Sequence, residues 1–214
     1  RILRLLRLKV RLGFEIEERT RMQYGNAREA GLESRIPVET LREELKQIAE
    51  EPDPGEVLRL LESEKLLGLF SEGLAGGKLN LSAFEKLHKI RQLIPFGVRF
   101  PVQMFGLFLG LLCEKLSPKE RAAFIKHLDL RKSDVSAWQT LDARVKKLEN
   151  ELKSPKLNKP SKIYQLASKT PGEQILYLLM KSNQRLALDR LKNYLQKYLP
   201  AAQEVTDRDV VAEG

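Results

Sequence analysis

Apolar residues recur along this chain at intervals of three and four, and strict two-residue alternation is almost absent. The pattern predicts helix nearly everywhere. At about 100° per residue, Ile2, Leu3, Leu6 and Val10 fall on one side of a first helix. Arg1, Arg4, Arg7 and Arg11 occupy a separate arc of about 120°. Leu5 and Leu12 lie beyond that arc, and Gly13 supplies the left-handed residue that commonly ends a helix.

The same reading continues down the chain. A polar helix is expected over about residues 17–30, closed by Gly31. Pro37 opens a helix over 38–50, with Leu41, Leu45 and Ile48 on one side. Asp53-Pro54-Gly55-Glu56 has the form of a capping box and starts the next helix. The loop carrying Gly73, Gly76 and Gly77 marks a boundary. Beyond it, helices are expected over 83–94, stopped by Pro95, and from Pro101 through the most apolar run of the chain, residues 104–113. Ser117 and Glu120 cap another. A long helix is predicted over 133–153, followed by an exposed Pro- and Lys-rich linker at 154–160. Short helices follow at 161–167, from Thr170 onward, and over 184–199, where Pro200 ends the last. Helices this short and numerous imply an all-α fold, a curved or orthogonal multi-helix array with no sheet. The expected divisions are 1–72, 73–200 and 201–214.

Composition narrows the picture. An apolar content of 42% beside 31% charged residues describes a globular chain and excludes a disordered one. The 7% aromatic content argues against the aromatic-rich sheets that stack bases. The apolar run 104–113 is too short to span a bilayer, so no membrane partner is expected. Cys113 is the sole cysteine, which rules out a disulfide framework within one chain and fits a reducing, cytoplasmic setting.

The net charge of +9 is unevenly placed. Residues 1–12 carry five positive charges and no negative one, and the stretch to Lys65 is acidic. Basic character returns between Arg144 and Lys169, where Lys146, Lys147, Lys153, Lys156, Lys159, Lys162 and Lys169 outnumber Glu149 and Glu151, and the first six of these lysines are the candidate RNA contacts. Two basic zones flanking an acidic one suit an elongated anionic partner such as RNA. Lysines that merely keep a surface soluble are the plain alternative.

Arg1-Ile2-Leu3-Arg4, Arg7, and Arg11-Leu12-Gly13-Phe14 resemble the neck motif of bacterial tRNA nucleotidyltransferases (CCA-adding enzymes) and the related bacterial poly(A) polymerases. In that family the motif reads roughly E-D-x-x-R-I-L-R-x-x-R-F-x-x-R-L-G-F. Leu8 departs from the usual Phe, and the acidic pair would precede Arg1. Ile36, Glu39, Glu44 and Leu45 fit the family's next motif. There Pro37 replaces serine and Thr40 replaces arginine, with Arg42 near enough to substitute for the latter. Residues 205–214 resemble the start of the family's tail, with Asp207 in place of glycine.

The resemblance implies a neck-like region at 1–72, a helical body at 73–200 and a tail beginning at 201. It implies that Arg1 reads the base edge of an incoming nucleotide, a task suited to a planar fork of donors. Arg4 would serve the same nucleotide pocket. Arg7 and Arg11 are expected in structural ion pairs with acids such as Glu43 and Glu44. The parent enzyme would use Mg²⁺ with ATP or CTP to extend the 3′ end of tRNA or another RNA, its metal held by an N-terminal catalytic head outside this sequence. Alone, the chain is expected to be inactive. Asp207 and Asp209 have D-x-D spacing but fit a cap or surface role, and His88 and His127 lack the company of a metal site. The competing expectation is a helical protein-interaction scaffold with an apolar groove at residues 105–112.

Overall fold

The computed structural model describes residues 1–204. Among the described residues the regular elements are all helical, with no strand. In order they are α1 (Ile2–Leu12), α2 (Glu18–Glu29), α3 (Val38–Glu50), α4 (Pro54–Ser63), α5 (Leu81–Arg91), α6 (Met104–Leu112), α7 (Pro118–His127), α8 (Lys132–Gln139), α9 (Leu141–Lys153), α10 (Pro160–Ser168), α11 (Gly172–Lys181), α12 (Arg185–Asn193) and α13 (Leu199–Glu204). They form two compact units, interleaved in sequence: residues 1–85 with 104–138, and residues 86–103 with 139–204. The tail-like residues 205–214, with Asp207 and Asp209, lie outside the described residues.

In the first unit α1 packs on α3 and α4, and α3 packs on α6. The predicted apolar stripes form the core: Leu3 and Leu6 from α1, Leu41, Leu45 and Ile48 from α3, and Val57, Leu58 and Leu61 from α4 are all buried. Each such side chain contributes roughly 1.5–3 kcal/mol by leaving water. Phe84 and Phe108 meet with ring centroids 5.4 Å apart. Helix α6 is apolar on every side because it is interior; Gly106 and Gly110 let Ala137 and Trp138 approach its backbone. Local signals stop and start these helices as expected. Gly13 closes α1 at φ 64°, its N–H bonded to the Lys9 carbonyl. Asp53 accepts the Glu56 N–H at 3.2 Å, and Ser117 with Glu120 forms a reciprocal capping box. Arg42 bonds the carbonyl and carboxylate of Asp129, tying α3 to the end of α7.

Helix α2 contrasts with its neighbours, since it buries no residue. It is held by polar anchors: the Tyr24 hydroxyl donates to Glu64 at 2.6 Å, and Arg28 donates to the Glu64 carbonyl at 2.7 Å and pairs with Glu33 at 2.9 Å.

In the second unit α9, α11 and α12 pack mutually, burying Val145, Leu148, Leu152, Ile175, Leu179, Ala187 and Leu191. Arg190 caps the exit of α9 by donating to the carbonyls of Leu152 and Ser154. The linker that follows is mostly exposed. Gly172 sits so close to residues 100–102 that a Cβ there would lie 2.4 Å from the Pro101 carbonyl oxygen.

Several boundaries differ from the sequence expectation. Helix α5 ends at Arg91, before Ile94 and Pro95, and α6 begins at Met104 and not at Pro101. The helix expected over 133–153 is interrupted at Thr140, so that α8 ends at Gln139 and α9 begins at Leu141. Pro200 does not end the last helix but lies inside the first turn of α13. The wide turn over Tyr194–Tyr198 precedes it, and opening the backbone there accommodates a residue with no N–H to donate.

Candidate nucleic-acid interface

The first helix divides its four arginines by burial. Leu3, Leu6 and Arg7 face inward, and Arg1, Arg4 and Arg11 face solvent. Arg7 is 5% exposed, donating Nη1 to Glu51 at 2.8 Å and Nε to Glu44 at 3.1 Å. Burial works to lower its pKa, but the hydrogen bonds to Glu51 and Glu44 outweigh that and hold it above its ordinary value. Arg11, 56% exposed, reaches the same Glu51 at 3.9 Å. Of the two partners expected for these arginines, Glu44 takes part, whereas Glu43 pairs with Lys46 one turn along its own helix. Glu51 was not anticipated.

Arg1 and Arg4 are exposed and have no ion-pair or hydrogen-bond partner for their side chains among the described residues. Three residues apart, they stand on one face a helical turn from each other. The half-buried Leu5 and Leu8 and the exposed Leu12 share that face, and Phe14 just beyond is 69% exposed. A surface that mixes free guanidiniums with exposed apolar side chains can hydrogen-bond acceptor edges or phosphates while packing on an apolar partner.

The second basic zone lies on α9, the linker and α10. Lys146, Lys147, Lys156, Lys159 and Lys162 are exposed, and Lys153 is half-buried and pairs with Glu149 at 3.5 Å. Lys162 donates to the Lys156 carbonyl at 3.2 Å. Of these six, only Lys147 lines a cleft of about 330 Å³, with Arg144, Lys169, Glu151, Thr170 and Pro171. The amino end of α11 opens on the same cleft and adds its partial positive charge. Arg144 and Lys169, which bound the basic zone in sequence and stand outside the six candidate contacts, therefore join Lys147 there. The i, i+3, i+7 spacing of Arg144, Lys147 and Glu151 carried the signal for one shared helix face.

The remaining sequence candidates are local. His88 bonds the Gln92 side chain at 2.9 Å and His127 bonds the Leu69 carbonyl at 2.8 Å. No group of three His, Cys, Asp or Glu that could hold a metal occurs among the described residues, so the donor set present here does not fit Mg²⁺. Residues 105–112 are buried or half-buried, which leaves no exposed apolar groove there for a scaffold role. No helix among the described residues is long and apolar enough to cross a membrane.

These features define an all-helical protein with a cationic first helix and a basic cleft. Solved structures share its fold. One described as a tRNA-processing enzyme in an apo form aligns over 99% of this chain and 56% of its own, at 21% identity and a TM-score of 0.60. A tRNA-processing enzyme complex aligns over 92% and 52%, at 23% identity and 0.61. A CCA-adding enzyme in complex with ATP aligns over 99% and 53%, at 23% identity and 0.54. The chain thus spans about half the length of the enzymes it matches. No protein-family model and no curated protein sequence matches it.

Proposed function

We propose that this chain is the RNA-binding, nucleotide-pocket-completing helical region of a template-independent RNA nucleotidyltransferase, acting in tRNA CCA addition or polyadenylation. The observation that carries the reading is the division within α1: Arg7 and Arg11 are engaged by Glu44 and Glu51, and Arg1 and Arg4 are left free beside exposed leucines. The likeness of fold to a CCA-adding enzyme solved with ATP and another solved with CTP supports it.

In this reading Arg1 donates to the base edge of ATP or CTP, and Arg4 stands beside it in the same pocket. The carboxylates that hold Mg²⁺ belong to a separate catalytic head that docks on the face carrying Leu5, Leu8, Leu12 and Phe14, and this chain alone is inactive. Lys146, Lys147, Lys153, Lys156, Lys159 and Lys162, joined by Arg144 and Lys169, meet phosphates of the tRNA. Contacts of that kind orient an RNA without reading its sequence. The working compartment is the cytoplasm.

A tRNA titration by fluorescence anisotropy tests the second zone. With Lys153, Lys156 and Lys159 all changed to Glu, affinity falls by at least tenfold at low salt. Unchanged affinity would remove this zone from the interface.

A further inference from the structure

Between Glu85 and Glu114 the chain carries no carboxylate, yet it holds Lys86, Lys89, Arg91 and Arg99. In the middle of this stretch Phe96 is 108% exposed, as open to water as in an extended peptide. It is nonetheless firmly placed. The Val98 N–H bonds the Pro95 carbonyl at 3.2 Å and Gly97 has φ 85°, which makes residues 95–98 a type II turn with Phe96 at its second position. Just past the turn, the Gln203 side-chain amide clamps the backbone of Arg99 on both sides, accepting its N–H at 2.9 Å and donating to its carbonyl at 2.8 Å. The guanidinium of Arg99 and the ammonium of Lys89 are exposed and without partners among the described residues. Phe96, Arg99, Gln203 and Glu204 border a cleft of about 680 Å³, within the range of pockets that take small ligands.

From this arrangement we infer that the turn at Phe96 is a stacking platform for an unpaired RNA base. Every base has an apolar face that an exposed aromatic ring can cover, and the adjacent cation answers the phosphate. Arg99 supplies that cation, and Glu204 accepts from exocyclic amines. The absence of acid from the stretch favours a polyanion over a protein surface as the occupant. The inference rests on the RNA-binding reading above and adds to it a preference for unpaired nucleotides, which the phosphate-directed lysines would not give.

The test compares a fluorescein-labelled single-stranded oligoribonucleotide with the same strand annealed into a blunt duplex. The Phe96→Ala change weakens single-strand binding roughly 5- to 150-fold, the range set by losing one stacked base, and leaves duplex binding unchanged. Phe96→Trp restores the single-strand affinity to within about threefold of the parent, because an indole also stacks. Arg99→Ala weakens both forms. If Phe96→Ala leaves single-strand binding intact, or weakens the duplex equally, stacking is wrong while the RNA-binding reading stands. If the parent chain binds no RNA at any salt, both fall. A parent that binds no RNA but forms a dimer that Phe96→Ala dissociates would assign the ring to a protein contact and overturn the proposal.

Discussion

Arg7 on α1 and Glu51 just past the end of α3, 44 positions apart in sequence, form a buried ion pair at 2.8 Å that Glu44 completes from the middle of α3. A cation so enclosed is costly to desolvate, and only its carboxylates make it tolerable. The pair therefore locks the register of α1 against α3, and with it the outward aim of Arg1 and Arg4. Arg7→Ala takes the nearest cation from the buried Glu51 and the half-buried Glu44, leaving Arg11 at 3.9 Å from Glu51, and lowers stability by about 3 kcal/mol. Arg1→Ala and Arg4→Ala, both at exposed positions, stay within about 0.5 kcal/mol of the parent. Urea denaturation of the three variants measures the difference.

Glu120 lies well below the usual carboxylate range, at about 2. The Lys78 ammonium is the main cause, followed by the hydrogen bonds of Ser117. A depressed carboxylate favours the folded state above its unfolded pKa near 4.5. That contribution fades as pH falls toward 2. Titration of the Glu120 carboxyl by NMR gives a midpoint near 2, and Lys78→Met moves it upward. A midpoint near 4.5 in the parent would mean that the pair with Lys78 is not formed in solution.

Helix α2 buries no side chain and depends on Tyr24 and Arg28 reaching the end of α4. Its amides exchange with solvent faster than those of α3 or α4. Tyr24→Phe removes a hydrogen bond to a charged acceptor and costs about 1.5–3 kcal/mol of local stability. Hydrogen exchange followed by mass spectrometry reports that as a further loss of protection confined to residues 18–29.

Much of this architecture was legible because it is set locally. Gly13 and Gly31 end helices through their own backbone freedom, and the caps at Asp53 and Ser117 need only three following residues. The division of the arginines was legible in outline, since Arg7 lies nearest the apolar arc of α1 and Arg1 and Arg4 lie farther from it. What could not be read was set by contacts distant in sequence. Glu51 becomes the partner of Arg7 only once α1 and α3 are packed, and Glu43, equally plausible on paper, is taken by Lys46. Pro200 reads as a helix stop until the wide turn before it is known. The cleft uniting Lys147 with Lys169 depends on how α9 meets the start of α11.

The close approach at Gly172 gives a prediction of the same long-range kind. A methyl group there would meet the Pro101 carbonyl oxygen at 2.4 Å and the Val102 side chain at 2.8 Å. Gly172→Ala therefore destabilises the second unit by about 1–3 kcal/mol through overpacking, although alanine is the better helix former. Thermal unfolding of the variant shows a lower Tm.

The salt dependence of tRNA binding is the most direct measure of whether this chain is an RNA-binding surface. Basic side chains that neutralise phosphates release counterions, so three or four such contacts give a log–log slope of about −2 to −4. Anisotropy titrations of the parent chain across a range of salt concentrations should show that slope, shallower by about 1.5 to 2 when both Lys147 and Lys169 are changed to Gln. An affinity that stays flat as salt rises, or no tRNA binding at low salt, would contradict the account.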